Sequence, residues 1–189
     1  MPNDASKLLP EEHFWTVISC SLDNTQSEGL TADRQIDLLE HELEKLSRDE
    51  HTGFLGHFYH WYFTAYRRDL WAVAYTVMGG CSDDCFMEFR MWLVTRGSDV
   101  FHAALKNPDS LAPEFDKIPE GDIPLWDYDL TDHFDSRFGD GAHNVAYEQF
   151  AFPEEKISDP ETQWTGDDEE SIRAICPLVF DQYWGNTRF

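Results

Sequence analysis

The chain has 189 residues and a mass of 22.0 kDa, which suits one domain with a sizeable core. Its 37 Asp and Glu against 14 Lys and Arg give a net charge of -23, which argues against nucleic acid and anionic membrane as partners, since both need clustered cations. The polar start, Met1-Pro2-Asn3-Asp4-Ala5-Ser6, lacks a basic region followed by an apolar one, and no apolar run is long enough to span a bilayer, so the expected location is cytoplasmic.

Aromatic residues make up 15% of the chain and concentrate between Phe54 and Phe101, which marks that segment as the core. Four cysteines, Cys20, Cys81, Cys85 and Cys176, read as reduced thiols in the absence of a secretion signal.

The first helix is expected from Glu11 to Leu22, with Phe14, Val17 and Ile18 on its apolar face and a stop over Asn24 to Gly29. A second begins at Thr31, a natural cap, and carries Ile36, Leu39, Leu43 and Leu46 at spacings of three and four. From Phe54 to Val77 the apolar positions wrap more than one face, as in a helix buried on most of its circumference, and Gly79-Gly80 ends it. Ser82 then caps a helix whose first turn holds Asp83 and Asp84 and whose inner face holds Phe86, Phe89 and Leu93. A fifth helix follows from Ser98 and stops before Asn107-Pro108.

From Asn107 to Gly141 the prolines at 108, 113, 119 and 124 leave no clear periodicity. Between Asn107 and Glu170, 19 Asp or Glu stand against three Lys or Arg, leaving 16 of the 23 net negative charges there. Yet Phe115, Trp126, Tyr128 and Phe134 are too apolar for a solvated tail, so the segment is expected to wrap the core as a long ordered loop. A short helix over Ala142 to Phe150 and a final one over Asp167 to Trp184, kinked or split at Pro177, complete the chain. The expected fold is mainly α: a single-domain helical bundle, 1–189, with a helical core over 11–106, an acidic irregular segment over 107–141 and C-terminal helices over 142–189.

Chemistry is expected at the junction after Gly79-Gly80. Asp83, Phe86 and Arg90 share a helical stripe, and an arginine among core aromatics needs an acceptor, with Asp69, Asp83 or a carbonyl as the expected partner. A buried cap and ion pair orienting two helices is one reading; a carboxylate and guanidinium lining a small pocket is the other. The candidate pocket is Asp69, Cys81, Asp83, Asp84 and Arg90. Cys81 and Cys85 form a single C-x3-C pair, whereas zinc sites want two ligand pairs, so no metal and no cofactor is expected. His57 and His60 share a helix face, but histidines among aromatics are more often packing residues. No phosphate loop, H-E-x-x-H, G-x-S-x-G or dinucleotide fingerprint is present.

The Phe14-Trp15 pair, Asp69-Leu70-Trp71, Ala74-Tyr75, Gly80-Cys81-Ser82-Asp83-Asp84, Phe86, Phe89-Arg90, Trp92-Leu93, Gly97 and Phe101 resemble a bacterial family catalogued as a domain of unknown function, number 4240. The resemblance spans roughly residues 13 to 105, with Ala146-Tyr147-Glu148 beyond, and implies a mainly helical, single-domain, intracellular protein without an established activity. Cys85 departs from the small residue more usual in that family, which counts against a family-wide Cys81/Cys85 metal site.

Two functions are weighed. One is a non-enzymatic binding module whose acidic half takes a basic protein, such as a toxin it neutralises in the manner of an immunity protein. The other is a small helical enzyme with Asp83 and Asp84 as acid or base groups and Arg90 as an anion clamp.

Overall fold

The computed structural model describes residues 4–22, 30–152 and 164–186. Among them are eleven α-helices and no strand: α1 Glu11–Cys20, α2 Ala32–Leu43, α3 Arg48–Thr64, α4 Arg68–Met78, α5 Asp83–Val94, α6 Ser98–Lys106, α7 Ala112–Phe115, α8 Leu130–Phe138, α9 Ala142–Tyr147, α10 Glu169–Ile175 and α11 Pro177–Tyr183. The mainly α, single-domain expectation holds. The expected stop over Asn24 to Gly29 lies outside the described residues.

Five of the eleven helices, α2, α3, α5, α8 and α10, start at a residue whose side chain accepts a free amide of the first turn. Thr31 accepts the Arg34 N–H and Ser82 the Cys85 N–H, as expected. Ser47 caps α3 reciprocally with Glu50, a capping box that also holds the Glu50 carboxyl below its usual range through the Ser47 hydroxyl and amide. Gly79 ends α4 at φ +64, a left-handed conformation that costs a side-chain-bearing residue about 1 kcal/mol or more.

α3 is the central element. It packs against α1, α5, α8, α9 and the short 3-10 turn Ala5–Lys7, so its aromatic wrap is buried from several sides. Gly53 permits a close approach: a Cβ there would meet the Leu9 Cβ at 2.7 Å. α4 forms a second layer with α5, α10 and α11. Phe14, Phe54, Phe58, Phe86, Phe89 and Phe101 are all essentially inaccessible, joining both layers in one aromatic core.

Two expectations are corrected. The helix expected from Phe54 to Val77 is two helices, starting earlier at Arg48 and broken at Ala65–Arg67. Arg67 adopts an extended conformation, φ -130 and ψ 141, which lets its guanidinium reach Asp69 and the Leu105 carbonyl. The segment expected to be irregular over 107–141 holds a 3-10 turn, Pro108–Leu111, and helices α7 and α8. These pieces are too short for periodicity to register, but prolines in first turns and the Asp129 cap start them.

That segment does wrap the core, and its polar groups are what fasten it. Asp109 is buried and accepts the N–H groups of Leu178 and Val179 at 3.0 and 2.9 Å, capping α11 from a distant part of the chain. Arg137 donates to the carbonyls of Leu43, Glu44 and Leu46, closing the C-terminal end of α2. Tyr128 donates to Glu40 at 2.7 Å, and Tyr183 to Asp116 at 2.8 Å. Pro177 splits the last helix in two, as expected.

Candidate functional site

The five residues expected to form one pocket do not converge. Asp69 opens α4 while Cys81 lies beyond its far end, about 14 Å away along the axis at 1.5 Å per residue. Arg90 is seven residues into α5 from Asp83, about 10 Å or two turns along that helix. Cys81, Asp83 and Asp84 stay together at the α5 start, where both carboxylates are solvent-exposed and offset the helix dipole.

Arg90 is 1% exposed, and neither Asp69 nor Asp83 is its partner. Its Nη2 donates to the Tyr62 hydroxyl at 2.8 Å and its Nη1 to the Tyr62 carbonyl at 3.5 Å. The guanidinium lies 4.0 Å from the Tyr62 ring centre, 4.4 Å from Tyr66 and 5.4 Å from Phe86. This aromatic cage replaces hydration with quadrupole attraction, each contact contributing about 0.5–2 kcal/mol. Of the expected acceptors, only the carbonyl is realised. Asp69 is held instead by Arg67 in a two-pronged pair, Nε to Oδ1 at 3.0 Å and Nη2 to Oδ2 at 2.5 Å. Arg67 also donates to the Leu105 carbonyl, so the pair ties the start of α4 to the end of α6.

His57 is buried against the Leu9 carbonyl at 2.8 Å, whereas His60 is exposed, so the two do not share a ligand position. His143 pairs with Asp135 at 2.8 Å, and two backbone amides add to that carboxylate, holding it below its usual range despite the opposing effect of desolvation. Among the described residues no three or more His, Cys, Asp or Glu side chains gather in a way that would hold a metal ion.

Open space lies elsewhere. A cleft of about 930 Å³ runs between α1, α2, the α5–α6 turn and the acidic segment. Arg96 and Trp92 line it, with the guanidinium 5.2 Å from the indole centre. Arg96 donates to Gln35 and Thr95 through one nitrogen, and no carboxylate pairs with it among the described residues. Burial pushes its pKa down to about 10, with Glu114 pulling the other way. The rim carries Asp99, Glu114, Asp116, Glu120 and Asp122 against a single lysine, Lys117, which is paired with Glu114 at 2.7 Å. Ile123, 45% exposed, adds an apolar contact beside them.

A second, shallower cleft of about 400 Å³ is lined by Asp84, Glu88, Asp127 and Asp129 together with Met87, Met91, Tyr59 and Tyr128. Burial raises the Glu88 pKa, and the neighbouring Asp127 and Asp84 carboxylates raise it further. Asp84 therefore faces other acids, while Arg90 lines neither cleft.

Sequence reasoning missed Arg96 and the rim around it. Arg96-Gly97 reads as a helix end, and residues from α1, α2, α6 and the acidic segment meet there only in three dimensions. The one visible hint was the excess of acids after Asn107.

No helix among the described residues is long and apolar enough to cross a membrane. No curated protein and no solved structure matches the chain. A family model described as "Protein of unknown function (DUF4240)" matches residues 9–135, more than half of the chain, and covers α1 to α7, most of the core and the whole of the rim named above. The chain belongs to the DUF4240 family.

Proposed function

We propose that this protein is an intracellular binding module that takes a basic polypeptide segment in the cleft over Arg96. The observation that carries the reading is the coincidence of a cleft of about 930 Å³ with a rim of five carboxylates and one lysine. Cationic side chains of a partner would pair with Asp99, Glu120 and Asp122, which line the cleft and have no Lys or Arg ion-pair partner among the described residues. Ile123, Leu125 and Val100 supply apolar contact between the charges. Such a rim speeds encounter and selects charge, with each exposed pair worth about 0.2–1 kcal/mol. An immunity-like role, in which the partner is a basic toxin, is one form of this reading.

A net charge of -23 attracts any polycation, so the test compares positions rather than salt alone. A lysine-rich amphipathic peptide is titrated against the full chain by fluorescence anisotropy. Reversing Asp99, Glu120 and Asp122 together to Lys is expected to weaken binding about ten-fold or more, the equivalent of 1.4 kcal/mol. Reversing Asp132, Asp140 and Glu148, all exposed and remote from the cleft, changes net charge equally and is expected to have a much smaller effect. Equal losses in the two triple variants would sink the cleft as the binding site.

A further inference from the structure

Met78 closes α4, Cys81 follows the glycine turn and Cys85 is the third residue of α5, so folding adds a third sulfur to the C-x3-C pair. The Cys81 and Cys85 Sγ atoms are 3.0 Å apart, and the Cys85 Sγ is 3.6 Å from the Met78 Sδ. Both cysteines are free thiols, and all three residues are partly exposed, unlike the fully buried Cys176. The supporting backbone is held on both sides. Trp71 Nε1 donates to the Cys81 carbonyl at 2.9 Å, and the Ser82 hydroxyl accepts the Cys85 N–H at 3.2 Å.

Zinc and the hard divalent cations are poorly served here, because zinc takes four ligands and calcium or magnesium takes oxygens. Two thiols and a thioether are instead soft donors, the set that selects Cu(I) over the hard cations. Three such donors in contact through the Cys85 sulfur, on two helix ends and the turn between them and partly accessible from solvent, differ from sulfurs used only to fill a core.

We infer that Met78, Cys81 and Cys85 form a three-sulfur site for a soft monovalent cation of the Cu(I) type. The two cysteines bind as thiolates and the methionine as a neutral thioether. Loading breaks two S–H bonds, forms two metal–thiolate bonds and one metal–thioether bond, and releases two protons to solvent, with no change in the oxidation state of the metal. Burial, the neighbouring Cys85 thiol and the Asp83 carboxylate raise the Cys81 pKa in the metal-free protein, so the ion must displace that proton.

The test partitions Cu(I) between the full-length protein and a colorimetric Cu(I) chelator under anaerobic conditions. One equivalent is expected to stay with the protein, with thiolate-to-metal charge-transfer absorption. Cys85→Ser is expected to abolish that absorption. Met78→Leu, close in volume, keeps the helical circular dichroism and weakens retention at least about ten-fold, the loss seen when even a supporting contact to a metal ligand is removed. Cys20→Ser, at an exposed lone thiol, leaves retention unchanged. The site is overturned if no equivalent is retained, if Met78→Leu holds copper as tightly as the parent chain, or if Cys20→Ser releases it.

Discussion

Arg90 and Arg96 stand six residues apart, at the inner face and the end of one helix, and the fold treats them in opposite ways. Arg90 is sealed beneath Tyr62, Tyr66 and Phe86 and has its charge answered by ring faces and a tyrosine. Arg96 lies on Trp92 with one nitrogen tied to Gln35 and Thr95, and it lines a cleft of about 930 Å³. A buried cation that lines no cleft and is answered by Tyr62, Tyr66 and Phe86 among the described residues reads as structural. One that lines an open cleft stands beside any ligand that enters it.

The contrast is broken most directly by truncation. Arg90→Ala removes the centre of an aromatic cage and leaves the buried Tyr62 hydroxyl without its donor, so the expected loss is about 3 kcal/mol or more. Arg96→Ala opens onto solvent, where water replaces the donor to Gln35, and about 1 kcal/mol is expected. In a chain of this length the two correspond to melting shifts of roughly 10 °C and 3 °C. Comparable shifts in thermal unfolding would erase the distinction between the two arginines.

His51 extends the internal class to a group that must stay neutral. It is buried among Phe54, Phe134 and Phe138 and accepts from Arg137 at 3.1 Å. Burial, then His133 and Arg137, lower its pKa to about 3. Because the folded value is depressed below the ordinary 6.5, the unfolded chain takes up the proton first. Stability is therefore full above about pH 6.5 and falls as pH drops toward 3. Between pH 6.5 and 5 this one group is expected to cost about 2 kcal/mol, at 1.36 kcal/mol per unit. Denaturant midpoints read across that range should flatten in a His51→Phe variant, and an imidazole signal that titrates near 6 would contradict the assignment.

What the sequence made legible were features written locally. Thr31 and Ser82 announced helix starts, Gly79 a helix end, and Pro177 a split, because each acts on its own few neighbours. The break at Ala65–Arg67 was hidden because aromatics surround α3 and no glycine or proline marks its end; Arg67 leaves the helix to reach a carbonyl 38 residues away. Asp109 looked like one acid among many, and its capping of α11 spans about 70 residues. The candidate pocket failed for the same reason. Asp69 and Arg90 were plausible partners on sequence, but Arg67 lay nearer to one and Tyr62, on another helix, to the other.

The smaller effects test whether the start of α5 belongs with Arg90 or with Arg96. Ser82→Ala removes the acceptor for the Cys85 N–H and is expected to cost about 1 kcal/mol. Asp83→Asn and Asp84→Asn keep shape and remove only charge. If these carboxylates serve the helix dipole, each substitution costs about 0.3–1 kcal/mol at low ionic strength and less as salt is added. The two positions also differ from each other. Asp84 lines the shallow cleft with Glu88 and Asp127, so removing its charge relieves repulsion there and offsets part of the dipole loss. Asp83→Asn is therefore expected to be the more destabilising of the pair. The same change at Asp84 should bring the Glu88 pKa down toward its ordinary value, a shift readable by carboxylate titration in nuclear magnetic resonance. An unmoved Glu88 would mean that Asp84 does not act on it and that burial and Asp127 set its proton affinity.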